Sequence, residues 1–154
     1  PPVVNIKNEQ RSASSVTYLD CTVAKVQVRT GIRQLKIMVF NKRSKPEYKD
    51  FPVVVFPDRS AMLSSQCKYG IVFSQAHRYA RRCTFRSDFE DAVSQLVAYL
   101  VLVKQYSKQR CLRQVYRFCG QYASKYGVGA KVQCGRNITW KVGKAIQSGL
   151  IVQV

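Results

Sequence analysis

The sequence predicts an α+β protein: an N-terminal β-hairpin, a small three-helix bundle after it, and extended basic arms at both ends. Three patterns carry this expectation. Residues 16–39 are rich in β-branched side chains, and Leu35, Ile37 and Val39 alternate with Lys36 and Met38 at the period of a half-buried strand. From Gly70 to Tyr122 the apolar residues recur at helical spacing. The arms rest on the lack of either period in residues 1–15 and on the glycines spread through residues 127–154.

The elements follow in order. Residues 1–15 (PPVVNIKNEQRSASS) have no periodicity and read as an extended arm. SVTYLDCTVAKVQVRT reads as one strand, Gly31 turns the chain, and QLKIMVFNK reads as a second. KRSKPEYKDFP is a polar linker, and FPVVVFP, held between Pro52 and Pro57, is an edge or extended segment. Hairpin and linker together occupy 16–57.

A helical domain is expected over 70–126. Its first helix, about 70–83, groups Phe73, Ala76, Tyr79, Ala80 and Cys83 on one face, with His77, Arg78, Arg81 and Arg82 on the other. The second starts at Ser87, where Ser87-Asp88-Phe89-Glu90 has the form of a capping box. The Ser oxygen would accept from the Glu90 amide while the Glu side chain returns the bond. Phe89, Ala92, Val93, Leu96, Val97, Leu100 and Val103 then mark its buried stripe. Ser107 would cap a third helix, KQRCLRQVYRFCGQY, with Cys111, Leu112, Val115, Tyr116, Phe118, Cys119 and Tyr122 inward and Arg110, Arg113 and Arg117 in a second stripe. Residues 127–154, with glycines at 127, 129, 135, 143 and 149, read as a loop-rich basic tail with two short strands.

At 154 residues and 46 % apolar, the chain can build one ordinary core. Its charge is less ordinary: 26 Lys and Arg against 8 Asp and Glu give a net +18. Such self-repulsion opposes compaction unless something anionic compensates it. Asp91 is the last acid, and none lies between Arg59 and Ser87. Solvated surfaces usually mix signs, so this placement points to a polyanion, nucleic acid first. No apolar run approaches the ~18 residues of a membrane span, and no secretory leader is expected. The chain opens PPVV without Met and reads as a processed product or a piece of something longer.

The cysteines at 21, 67, 83, 111, 119 and 134 form no CxxC pair, and with one histidine no zinc site of ordinary spacing is expected. All six read as reduced thiols in an intracellular setting, a mitochondrion or other organelle included, and the sequon at Asn137 as chance. Arg78, Arg81, Arg82, Arg110, Arg113 and Arg117 are the leading phosphate contacts, because a guanidinium donates two parallel bonds and stays charged. Lys125, Lys131, Arg136, Lys141 and Lys144 extend the set, and Trp140 and Tyr126 are candidates for stacking on bases. His77 reads as a surface polar residue; Tyr79 and Tyr116 read as core. No phosphate loop, HExxH or nucleophile elbow appears. Asp20 stands alone, and the acids after Ser87 have capping to do. No catalytic residue, metal or cofactor is expected.

The order of these motifs resembles the region after the palm in reverse transcriptases of Penelope-like and related retroelements. The resemblance rests on Tyr18, Leu19 and Asp20; Phe40 and Lys42; Arg78, Tyr79, Arg82 and Cys83; Ser87, Asp88 and Phe89; and Tyr106 with Leu112 and Phe118, and covers about 17–126. It implies a thumb-like helical domain that grips a template–primer duplex through its backbone. The palm with its paired metal-binding aspartates is absent, so the resemblance implies no polymerase activity in this chain. The expectation is a non-catalytic RNA-binding component of a large ribonucleoprotein, such as an organellar ribosome, with protein neighbours and no membrane. The alternatives are a thumb fragment of a larger reverse transcriptase, and a viral structural protein that binds genome.

Overall fold

The computed structural model describes residues 14–18, 21–40, 56–122, 125 and 131–149. Among these residues three strands precede four helices: β1 (Ser15–Tyr18), β2 (Cys21–Arg29), β3 (Ile32–Val39), α1 (Ser65–Arg82), α2 (Arg86–Leu102), α3 (Lys108–Tyr122) and α4 (Lys131–Gln147). The α+β class therefore holds, with a third strand beside the expected hairpin and, among the described residues, a fourth helix where two short tail strands were expected. Expectations for the arm at 1–13, the linker at 41–55, Leu19, Asp20, Lys42, Tyr126 and the last five residues lie outside the described residues, as do the side chains of Tyr18 and Lys131.

The stretch read as one strand is two, β1 and β2, paired antiparallel with Tyr18 opposite Cys21. β2 then pairs antiparallel with β3 around Gly31, whose φ of 83° lies in the left-handed region that a side chain disfavours. The order β1-β2-β3 makes a meander. A β-branched run has no internal mark of where it doubles back; pairing decides that.

Ser64 caps α1 by accepting from the Cys67 amide at 3.2 Å, so the helix begins ahead of Gly70. α2 departs from the capping-box expectation. Phe85 occupies the cap position without a side-chain bond, and Ser87 lies inside the first turn. The Glu90 side chain is instead taken up by Arg86 of its own helix and by Asn137 and Lys141 of α4. Ser107 precedes α3, its carbonyl accepting from the Cys111 amide. The tail expected to be loop-rich carries α4, with Gly135 and Gly143 inside it.

The helices close a ring in which α1 packs on α2, α2 on α4, α4 on α3 and α3 on α1. α2 is buried nearly all round, with Phe89, Val93, Val97 and Leu100 fully enclosed, whereas Val103, expected in the same stripe, caps the helix end and is exposed. Each such side chain contributes roughly 1.5–3 kcal/mol of burial. Gly135 explains the close approach of α3 and α4: a Cβ there would stand 2.6 Å from Cε1 of Tyr116. The interior thiols Cys111, Cys119 and Cys134 behave as small apolar groups, and burial pushes the Cys111 pKa up to about 12. All six cysteines are free.

The sheet attaches to the α1–α2 turn through β3. Thr84 donates its amide to the Ile37 carbonyl at 3.0 Å, and its hydroxyl accepts from the Ile37 amide at 2.9 Å. Lys36 pairs with Asp88 at 2.8 Å beside the same turn.

Candidate nucleic-acid interface

On α1, Tyr69, Val72, Ala76 and Ala80 are buried, with Phe73 and Tyr79 packed at the margins. The helical period therefore turns Arg78, Arg81 and Arg82 away from the core. Arg81 is exposed, while Arg78 and Arg82 are half-buried; Arg78 donates to Gln75 Oε1 at 3.4 Å. On α3, Cys111, Val115, Phe118 and Cys119 are buried, and Arg110, Arg113 and Arg117 stand exposed on the other side.

Two of the α3 arginines reach back across the seam. The Arg110 guanidinium sits 5.6 Å from the Tyr69 ring centroid and that of Arg117 sits 5.1 Å from the Phe73 ring. A guanidinium laid on a ring keeps its N–H edge in water, oriented but unspent. Since Phe73 also packs edge-on against Phe118 at 6.0 Å and Tyr122 at 5.8 Å, α1 and α3 present one continuous basic face. Tyr69 and Phe73 were not singled out in the sequence as supports for arginines. Their i, i+4 spacing at the edge of the apolar stripe is the signal that could have found them.

His77, expected as a surface polar residue, is half-buried against the α1–α3 seam. Its ring meets Phe73 and Phe118 at 5.0 Å each and Tyr122 at 4.3 Å. Burial first, then the charges of Arg81 and Lys125, hold its pKa below the ordinary value. The imidazole thus registers positive charge converging from the ends of both helices. Tyr79 packs inward as expected, whereas Tyr116 is 43 % exposed with its ring over Gly135.

The carboxylates decide which cations remain for a partner. Glu90, 4 % exposed, accepts from Arg86 Nε at 2.7 Å and from Asn137 Nδ2 at 3.1 Å, and pairs with Lys141 at 3.4 Å. Asp91 takes Lys141 at 2.7 Å, Asp88 takes Lys36 and Asp58 takes Lys104 at 2.9 Å. Among the described residues, no carboxylate is within ion-pairing reach of Arg81, Arg110, Arg113 or Arg117.

Lys141, expected to contact phosphate, is therefore spent within the protein. Burial lowers its pKa, but Asp91 and Glu90 more than reverse this and raise it above the ordinary value. Arg136, Trp140 and Lys144 form a separate stripe on α4, opposite its buried Cys134, Ile138 and Val142. Trp140 is 59 % exposed, as its stacking candidacy requires, but it stands on a helix and Lys144 Nζ covers one ring face at 4.0 Å. Lys125 is exposed at the end of α3.

Among the described residues no group of His, Cys, Asp and Glu could hold a metal ion, and no helix is long and apolar enough to cross a membrane. Exposed guanidinium groups of this kind can donate several hydrogen bonds at once to anionic oxygens. The chain matches no family model, no curated protein and no solved structure.

Proposed function

We propose that this chain is a non-catalytic RNA-binding component of a large ribonucleoprotein, holding the sugar–phosphate backbone on the α1–α3 face. One observation carries the reading: exposed arginines from two helices share a face on which no described carboxylate pairs with them. Arg110 and Arg117 are held over rings, so ordering their long side chains costs less when a phosphate arrives. Counterion release supplies most of the affinity, and the face reads backbone more than sequence. The buried free thiols favour a reducing intracellular compartment, a mitochondrion or other organelle included, and the excess charge favours an assembly in which RNA and protein neighbours surround the chain.

Fluorescence anisotropy with a labelled RNA across a salt series tests this. For about six phosphate contacts, affinity should fall on the order of 10³-fold between about 50 and 200 mM salt. Affinity that stays level over that range would sink the reading. A second reading, the duplex-gripping segment of a reverse transcriptase, is favoured by the order of a small sheet followed by helices with an arginine face. A clear preference for an RNA–DNA hybrid over single-stranded RNA would select it.

A further inference from the structure

The sheet carries a second surface of different chemistry. Register places Val16 opposite Val23 and Val23 opposite Ile37, so one apolar row crosses all three strands on a single face. Leu35 lies beside it on that face, opposite Lys25, and Arg33 follows two residues before Leu35. Val16 is 36 % exposed, Ile37 38 % and Leu35 59 %. Between them, Val16, Val23, Lys25 and Leu35 border a shallow hollow of about 110 Å³. The helices do not cover this face: β3 meets them at its edge, through Thr84, and at its Val39 end, where the Cys83 thiol bonds the backbone.

We propose that this face docks a protein segment with apolar side chains bordered by carboxylates. The aliphatic row calls for apolar contact, and Lys25 and Arg33, both exposed, set the charge that must border it. Among the described residues the sheet bears no acid, and neither cation is ion-paired there. A second copy of this chain fits poorly. Two-fold pairing would bring Lys25 and Arg33 against themselves with nothing to neutralise them. RNA fits poorly as well, since polar sugars would be desolvated against Val16 and Leu35 without new hydrogen bonds. The site is independent of the α1–α3 arginines, so the chain would link RNA on one side to a protein on the other.

The test uses the full chain and a fluorescein-labelled decapeptide alternating Leu and Glu, read by anisotropy. L35S and the double change K25E/R33E should each weaken binding at least fivefold, and K25E/R33E should instead take up the corresponding Leu–Lys peptide. R113A/R117A should leave the peptide affinity within twofold while reducing RNA affinity, which separates this proposal from the RNA reading. Leu35, Lys25 and Arg33 are all exposed, so these variants retain the core. The proposal is overturned by absent binding of the Leu–Glu peptide, or by equal or tighter binding of the Leu–Lys peptide to the unaltered chain. It is equally overturned if R113A/R117A accounts for the loss, if phosphatidylglycerol vesicles bind through Leu35, or if sedimentation shows self-association that L35S abolishes.

Discussion

The α1–α3 side of the bundle and the α2–α4 side are both basic, yet they dispose of their charge in opposite ways. Between α2 and α4, Arg86 and Lys141 converge on the buried Glu90, and Asp91 takes the rest of Lys141. Between α1 and α3, Arg110 and Arg117 lie on rings, and no described carboxylate answers them. A cation count treats the two sides alike. What separates them is where the few acids sit: charge neutralised inside the protein is structure, and charge left open is available to a partner.

Removing the acid at the centre of the first side should produce the largest effect. E90A leaves Arg86 and Lys141 without their buried partner and should cost about 3–5 kcal/mol in urea unfolding. A loss under about 1 kcal/mol would show that the α2–α4 side is no more structural than the other. Next, R110A/R113A/R117A should weaken RNA binding on the order of 10- to 100-fold and flatten the salt dependence by about 2–3 in log–log slope. K141A should leave that slope unchanged. Equal flattening by both variants would erase the contrast.

Gly135 joins the two sides. G135A forces the Tyr116 ring aside and should cost about 1–3 kcal/mol, with Y116A in the same chain recovering part of it in a double-mutant cycle. The smallest effect concerns His77, whose folded pKa lies below that of the unfolded chain, about 6.5. As pH falls below that value the unfolded state binds the proton first, so stability should decline and then level off once the folded imidazole is protonated. RNA bound at Arg81 should raise the His77 pKa, which an NMR titration of the imidazole reads directly. An unchanged value would place the bound RNA away from Arg81.

Much of the α1–α3 face was legible because it depends on periodicity. The spacing of Phe73, Ala76 and Ala80, and that of Cys111, Val115 and Phe118, implied which arginines face out. α4 was missed because Gly135 and Gly143 each cost about 1 kcal/mol in a helix. Local propensity cannot register that Gly135 is small to admit Tyr116, a residue nineteen positions earlier. The capping box at Ser87 failed for a related reason. A Glu at the third position can serve its own helix or a distant Lys, and Asn137 and Lys141 were out of view.

The chain alone determined its class, its inward helical faces and its surplus of positive charge, because composition and period are written along a line. Tertiary structure decided which cations stay open, where the strand doubles back, and that the tail holds a helix. Each of those outcomes needs residues far apart in sequence to meet, as Glu90 meets Lys141 and Tyr116 meets Gly135. No local pattern encodes such a meeting.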